Sequence, residues 1–225
     1  MSSKANDKIL SYNDVVLRRS DLDILSGPHF LNDRIIDFYF SFLASRFPSE
    51  DVLLLSPSIT FWIKECRDTS MLKDFIEPLR LSQRKLIIFP INDNSDVDLA
   101  EGGSHWSLLA FERGSNVFVH HDSSSACINK HDARHVYEAV LPFTASGMAT
   151  YVDYSGTPEQ ENGYDCGVYV LSIARVICDW YGSRGQEEGV VDLWFPSLKE
   201  QINAGAVSEM RDEVRRLVVD LMARK

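Results

Sequence analysis

The centre of the fold is predicted from two short apolar runs near the middle of the chain. Their sequences are His105-Trp106-Ser107-Leu108-Leu109-Ala110-Phe111 and Val117-Phe118-Val119-His120-His121. Between them, Glu112-Arg113-Gly114-Ser115-Asn116 is a turn signal, so the pattern predicts an antiparallel hairpin. A two-residue turn centred on Arg113 and Gly114 would place His105 opposite Asp122. Their Cβ atoms would then lie roughly 5 Å apart, near enough for an imidazole to donate a hydrogen bond to a carboxylate.

Working outward from the hairpin, further β-branched or aromatic runs predict strands at residues 85–91 and 149–154. Capping residues and apolar groups at helical spacing predict helices at residues 30–43, 57–63, 133–141, 166–180 and 207–222. We expect the last helix to pack on the chain's own core rather than on a partner. The predicted fold class is α+β, with helices on one or both sides of a small mixed or antiparallel sheet.

The composition narrows the class of protein. The chain has 225 residues, of which 33 are acidic and 23 basic, so its net charge of −10 disfavours a nucleic-acid partner. With 44% hydrophobic and 25% charged residues it is typical of a folded globular protein. We expect a flexible N-terminus over residues 1–9 and a single domain over residues 10–225.

Neither a secretory signal nor an apolar run approaching the roughly 20 residues of a membrane span is found in the sequence. We therefore expect a soluble protein without a membrane partner, located in the cytoplasm, the nucleus or both. A monomer is the expected state.

Cys166 is the cysteine that stands out among four that lack a CxxC pair. It directly precedes an apolar helical run, so its sulfur is predicted at a helix N-terminus, where backbone N–H groups stabilise a thiolate. Gly167 would leave that sulfur open to substrate. A nucleophilic cysteine needs a base and a group that orients the base, and His105 and Asp122 are of those types. An inert buried thiol and a structural His–Asp pair are the simpler alternatives.

Three motifs in order then resemble a known family. Gly102-Gly103-Ser104-His105-Trp106-Ser107, His121-Asp122-Ser123 and Gln160-Glu161-Asn162-Gly163-Tyr164-Asp165-Cys166-Gly167 resemble the His-Trp, Asp-Ser and Gln-x5-Cys-Gly motifs of the ubiquitin-like-protein-specific cysteine proteases. The resemblance runs from Leu10 to the C-terminus. It implies the papain-like superfamily fold with the order His, Asp, Cys.

Within that family, residues 91–106 look most like the deneddylase branch, which acts on the modifier called RUB in plants, and the SUMO proteases are the near alternative. The resemblance implies a thiol protease and isopeptidase that cleaves after the modifier's C-terminal diglycine. It would process the precursor, or release the modifier from conjugates such as cullins.

The same resemblance assigns roles to residues. Cys166 would be the nucleophile, His105 its base and then acid, Asp122 the group that orients the imidazole, and Gln160 an oxyanion donor. The implied substrate contacts are Trp106 over a channel that admits only glycines, together with Phe30, Asp33, Asn92 and Asp93. Many relatives have Trp where Phe30 stands.

An acidic loop lies directly before the predicted catalytic strand. It carries Asp93, Asp96, Asp98 and Glu101 among Asn, Ser and Gly residues. A solvated mobile loop is one interpretation. The other is a gate that orders over the basic end of the modifier's tail.

Other functions remain as alternatives. His131 and His135 have the helical spacing of a zinc pair, but no third ligand is evident, and we expect neither a metal nor a cofactor. A viral chymotrypsin-like protease would need many more strands. Acetyltransferases that share the triad usually need a separate cofactor site, which the sequence does not reveal. A binding module that only captures ubiquitin-like tails would keep the channel without the chemistry.

Overall fold

A five-stranded mixed sheet organises the protein, whose computed structural model describes residues 5–47, 50–99, 102–145, 147–183 and 193–224. Two strands before it, β1 (Lys8–Tyr12) and β2 (Val15–Arg18), form a separate antiparallel pair. The sheet strands, in spatial order, are β3 (Val52–Leu54), β4 (Leu86–Asn92), β5 (Trp106–Glu112), β6 (Val117–His121) and β7 (Thr150–Asp153). The outer pairs β3/β4 and β6/β7 are parallel and the inner pairs are antiparallel, which confirms the mixed alternative.

Helices connect and cover these strands. Within the described residues they are α1 (Arg19–Leu25), α2 (Asp33–Ser45), α3 (Pro57–Glu65), α4 (Thr69–Ile76), α5 (Lys130–Val140), α6 (Cys166–Ser183), α7 (Phe195–Gln201) and α8 (Ala204–Ala223). The predicted caps are present, since the side chains of Asn32 and Ser56 accept from the backbone N–H groups of Ile35 and Ile59. The five predicted helices correspond to α2, α3, α5, α6 and α8, whereas α1, α4, α7 and the strands β1 to β3 were not predicted.

The alternation of side chains along the strands produces one core on each face of the sheet. On β4, Leu86 and Ile88 point to a core shared with α2, α6 and α8, whereas Ile87 and Phe89 point to a core shared with α3, α4 and α5. Both faces are therefore covered by helices, and the strands are apolar at consecutive positions for that reason. The predicted packing of the last helix on its own core is confirmed.

The hairpin is present, but its predicted register is wrong by two residues. Glu112 pairs with Val117 and Leu108 with His121, so four residues form the turn. The Glu112 carboxylate accepts from the backbone N–H groups of Gly114 and Ser115, and Asn116 adopts a left-handed φ of 51°. These interactions favour the longer turn over a two-residue Arg-Gly turn.

The N-terminal boundary also differs from the prediction. Lys8 pairs with Arg18, so the first strand begins inside the segment expected to be flexible. Residues 1–4 of that segment and Lys225 at the end of the predicted domain lie outside the described residues.

The cysteines Cys66, Cys127, Cys166 and Cys178 are all free thiols. In the described ranges, no α-helix combines the length and the apolar content that crossing a bilayer requires.

Candidate active site

His105 and Asp122 form the centre of the site. The two-residue shift in register keeps both side chains on one face, and Nε2 of His105 lies 2.6 Å from Oδ1 of Asp122. The Asp122 carboxylate also accepts from the backbone N–H groups of Ser124 and Asn129, at 2.8 and 3.1 Å. Burial opposes ionisation of Asp122, but these hydrogen bonds and His105 lower its pKa below the ordinary value. The carboxylate is therefore ionised at neutral pH.

His105 is linked to Cys166 through its other ring nitrogen. Burial favours the neutral imidazole, but hydrogen bonds to Asp122 and to Cys166 prevail and raise the pKa of His105 to about 9. Because Nε2 is engaged with Asp122, Nδ1 is the nitrogen left for the sulfur. An imidazolium at this position favours the thiolate form of the nucleophile. The structure thus brings together the three residues that the sequence singled out.

Cys166 is the first residue of α6, so its sulfur lies at a helix N-terminus as predicted. The turn before it is held by Asn162, whose side-chain oxygen accepts from the N–H groups of Tyr164 and Asp165. Arg211 of α8 donates to Asp165 at 2.7 and 3.1 Å. A distant helix therefore positions the residue directly before the nucleophile.

The expectation that Gly167 leaves the sulfur open is wrong. Cys166 has an exposed fraction of 0%, and a Cβ at Gly167 would lie 2.8 Å from Cβ of Leu31. Glycine is needed here for close packing. Leu31 also accepts a 2.9 Å hydrogen bond from Nε1 of Trp106, so Trp106 and α6 are both packed against this residue.

Gln160 lies beside Asp122. Its backbone N–H donates to the carbonyl of Ser123, the neighbour of Asp122, and its Oε1 accepts from the Ser123 hydroxyl at 2.8 Å. Its Nε2 donates to the carbonyl of Asn162 at 2.7 Å, which leaves one further N–H on the same amide. The oxyanion role of Gln160 stays a prediction.

The Asp93 carboxylate is hydrogen-bonded to the segment that leads into His105, and its predicted substrate contact stays a prediction. Its carboxylate accepts from the N–H groups of Ser104 and His105, at 2.6 and 2.9 Å, and from the Ser104 hydroxyl. Asn92 acts similarly, because its Nδ2 donates to the His105 carbonyl at 3.2 Å. Both predicted substrate contacts therefore position the backbone of the catalytic histidine.

Two positioning residues carry no local sequence signal. Asn129 is fully buried, and besides its backbone bond to Asp122 its Nδ2 donates to the carbonyls of Ile91 and His105, both at 3.2 Å. Lys64 is buried on α3 and donates to the carbonyls of Asn92 and Asn94. The base of the acidic loop is therefore anchored from the protein interior.

A cavity of about 460 Å³ lies beside this loop. Its lining includes three of the predicted substrate contacts, Asp33, Asn92 and Trp106, together with Phe61, Trp62, Val97, Asp98 and Leu99. Phe30 is not in this lining, and it is half exposed. Val97 and Leu99 have exposed fractions of 69% and 55%, which is unusual for such apolar side chains. Glu101 of the predicted gate lies outside the described residues.

The helical histidine pair has no third potential ligand beside it among the described residues. The rings of His131 and His135 on α5 are 6.4 Å apart, and neither residue belongs to a cluster of three or more potential ligands among the described residues.

Comparisons with known proteins identify a family of proteases to which this chain is similar. Residues 29–179 match the model of the Ulp1 protease family, C-terminal catalytic domain. The chain is 51% identical over 218 residues to NEDD8-specific protease 1 of Arabidopsis thaliana, covering 97% of this chain and 95% of that protein. It is 37% identical to human sentrin-specific protease 8, covering 84% and 89%.

One solved structure supports the fold. The yeast Ulp1 protease domain, determined in complex with the SUMO orthologue Smt3, superposes with a TM-score of 0.69 at 19% identity and covers 98% of this chain and 90% of that one. The α+β prediction is confirmed.

Proposed function

The chain belongs to the Ulp1 protease family of cysteine proteases, and from this premise we propose that it is a deneddylase, a thiol isopeptidase that cleaves after the C-terminal diglycine of the RUB-type modifier NEDD8. The observation that carries the proposal is the assembled His105, Asp122 and Cys166 triad within the matched region. A relative named for NEDD8, similar along nearly its whole length, supports this modifier over SUMO.

The geometry supports a mechanism in two halves. The Cys166 thiolate adds to the carbonyl carbon of the second glycine of the diglycine. We propose that the Cys166 backbone N–H and Gln160 stabilise the anion that forms on the carbonyl oxygen. The His105 imidazolium then gives its proton to the departing amine, leaving a thioester on Cys166. In the second half, neutral His105 takes a proton from water, hydroxide attacks the thioester, and the thiolate leaves.

Asp122 contributes to both halves of the mechanism. Its ionised carboxylate holds Nε2 of His105 and stabilises the imidazolium, which has to form in each cycle. Since the sulfur is buried in the described state, binding of the modifier's tail must displace part of the surrounding structure. Trp106 and the acidic loop, which border the cavity beside the site, are the elements we propose to move.

The acidic loop is proposed as a contact for the modifier. Val97 and Leu99 offer an exposed apolar surface, and Asp98 lines the same cavity, where a basic residue before the diglycine would meet it. Asp98→Asn is the variant that tests the charge, because Asp93 supports His105. We expect a several-fold rise in KM for NEDD8 substrates at low salt. Asp220→Asn, on the exposed surface of α8, is the control.

The proposed partners are NEDD8 and its conjugates, such as cullins. With this substrate, the protein would act as a monomer in the cytoplasm, the nucleus or both.

The function is tested with modifiers that carry a C-terminal electrophile, namely NEDD8, SUMO and ubiquitin. NEDD8 should label the wild type and Cys66→Ala, in which a partly exposed thiol away from the triad is removed, but not Cys166→Ala. Labelling by SUMO alone would support the SUMO-protease alternative. NEDD8 binding without labelling of the wild type would indicate a non-catalytic module.

A further inference from the structure

Three donor atoms of different chemical type converge beside the active site. They are Nδ1 of His120 on β6, Oδ1 of Asp153 on β7, and Sγ of Cys127 in the connection between β6 and α5. Nδ1 lies 3.0 Å from the Asp153 oxygen and 3.9 Å from the Cys127 sulfur. The donor atoms all lie within 4.8 Å of one another. Neither the motifs nor the proposed mechanism uses this cluster.

The spacing fits a tetrahedral zinc ion. Zinc bonds of about 2.0 Å to nitrogen or oxygen and 2.3 Å to sulfur place neighbouring ligand atoms about 3.3 to 3.6 Å apart. The observed separations of 3.0 and 3.9 Å lie on either side of this range, and the Cys127 sulfur lies within 4.8 Å of the Asp153 oxygen. The Cys127 side chain would therefore move toward the other two ligands on binding. A thiolate, an imidazole and a carboxylate together favour zinc, whereas magnesium and calcium prefer oxygen ligands throughout.

The surroundings supply the outer hydrogen bonds that metal ligands usually have. Nε2 of His120 lies 2.9 Å from the Ser107 hydroxyl, and the Tyr151 hydroxyl donates to Oδ1 of Asp153 at 2.8 Å. The side chain of His120 is fully buried.

The backbone at Cys127 is unusual for its residue type. It has a left-handed φ of 48°, a conformation that is strained for a non-glycine residue. Hydrogen bonds hold it there, from Cys127 N–H to the Ser124 carbonyl and from Lys130 N–H to the Cys127 carbonyl. The result is a thiol placed next to the buried imidazole.

We propose that His120, Cys127 and Asp153 form a Zn²⁺ site with a fourth position open to water. The three residues line a cavity of about 320 Å³, which has room for that water. On binding, the Cys127 thiol releases its proton to solvent, and the single imidazole proton lies on Nε2, which donates to Ser107. The exposed Lys130 ammonium, 3.3 Å from the other Asp153 oxygen, can turn outward.

The site borders the catalytic machinery, because Asp122 lines the same cavity. The proposed zinc site is tested without an activity measurement. The test uses the Cys166→Ala protein, because the catalytic Cys166 and His105 could themselves bind zinc. Failure of this inference would therefore leave the proposed protease function untouched, and the reverse also holds.

The experiment is a calorimetric titration of Zn²⁺ into the purified Cys166→Ala protein. We expect one equivalent to bind, with affinity falling at least tenfold on adding Cys127→Ser and unchanged on adding Cys66→Ser. Cys66 is the matched control because it is also partly exposed, but its sulfur contacts only the Asp68 carbonyl in the hydrogen bonds described. Titration with Co²⁺ should produce a thiolate charge-transfer absorption that depends on Cys127.

Folding of each variant is checked by circular dichroism, and Asp153→Asn provides a second ligand change should Cys127→Ser fail to fold. Absence of stoichiometric binding to the Cys166→Ala protein would overturn the proposal. Equal zinc affinity with and without Cys127, or a cobalt spectrum without a thiolate band, would overturn it as well.

Discussion

At the residue scale, the protonation of the triad is decided by a competition between burial and hydrogen bonding. Burial alone would keep His105 neutral, but its bonds to Asp122 and Cys166 raise its pKa to about 9. The imidazolium is therefore present at neutral pH, and it is lost as the pH rises through about 9. A base in this state is already poised as the acid that protonates the leaving amine.

Asp122→Asn should move the alkaline limit of activity to lower pH. A neutral amide no longer favours the imidazolium, so His105 loses its proton earlier as the pH rises. At neutral pH we expect kcat/KM to fall about 10²- to 10⁴-fold. The measurement is the pH profile of kcat/KM for a fluorogenic NEDD8 C-terminal amide with both proteins. An alkaline limit that stays in place would contradict the role assigned to Asp122.

Asn129→Ala should lower kcat more than it changes KM. The variant loses the two donors that hold the carbonyls of Ile91 and His105, so the histidine is less well placed, although substrate contacts remain. We expect a kcat about tenfold lower and a stability loss of about 1–3 kcal/mol.

The control for Asn129 is Asn203→Ala, which removes the N-cap of α8 and should cost about 1 kcal/mol without changing kcat. Steady-state kinetics and urea unfolding distinguish the two variants. Equal kcat values in both would indicate that Asn129 is only a structural residue.

At the scale of elements, α8 is bound through Arg211 to the segment directly before Cys166. Arg211 donates to Asp165 and also to the carbonyls of Ile24 and His29, so one side chain joins α8, the end of α1 and the start of α6. The side chains of this ion pair are only 11% and 12% exposed, so removing one partner would leave a largely buried charge uncompensated.

Arg211→Ala should destabilise the fold by about 3 kcal/mol, because it leaves a largely buried carboxylate without its partner. Activity should fall further than the folded fraction, since Asp165 directly precedes Cys166. Arg215→Ala is the matched control on the same helix, where the lost contact is an exposed hydrogen bond to Ser26. Urea unfolding of both variants is the measurement. Equal midpoints would contradict the stabilising role of the contact between Arg211 and Asp165.

At the scale of the whole molecule, one buried carboxylate attaches the N-terminal elements to the rest. Asp21 of α1 is fully buried and accepts from the Arg34 guanidinium, the Asn32 amide and the Arg18 N–H. Burial opposes its ionisation, but these donors prevail and lower its pKa. Its contribution to stability is therefore present above the unfolded pKa of about 3.9 and is lost as the pH falls through the lower folded value.

Asp21→Asn should lower the free energy of unfolding by about 3 kcal/mol at neutral pH, where the wild-type carboxylate is charged. The difference between the two proteins should shrink below about pH 4, because the wild-type carboxyl then takes up a proton too. Asp23→Asn, exposed on the same helix, should have little effect at any pH. Denaturant unfolding at several pH values checks this, and a difference that does not change with pH would contradict the linkage.

Local patterns in the sequence predicted most of the sheet strands, the main helices and the type of chemistry. Apolar strand runs, helix caps and the three motifs are local patterns, so they predicted four of the five sheet strands, the main helices and the triad. The pairing of His105 with Asp122 survived a wrong register because a shift of two residues keeps side chains on the same face.

Features that depend on contacts between distant segments could be seen only in the folded molecule. The burial of Cys166, the attachment of Asp93 to the catalytic loop, the roles of Asn129 and Arg211 and the cluster around Cys127 all arise in this way. A buried polar group needs a hydrogen-bond partner, but any residue that folding brings close can supply it. Such contacts therefore cannot be predicted from the spacing of residues along the chain.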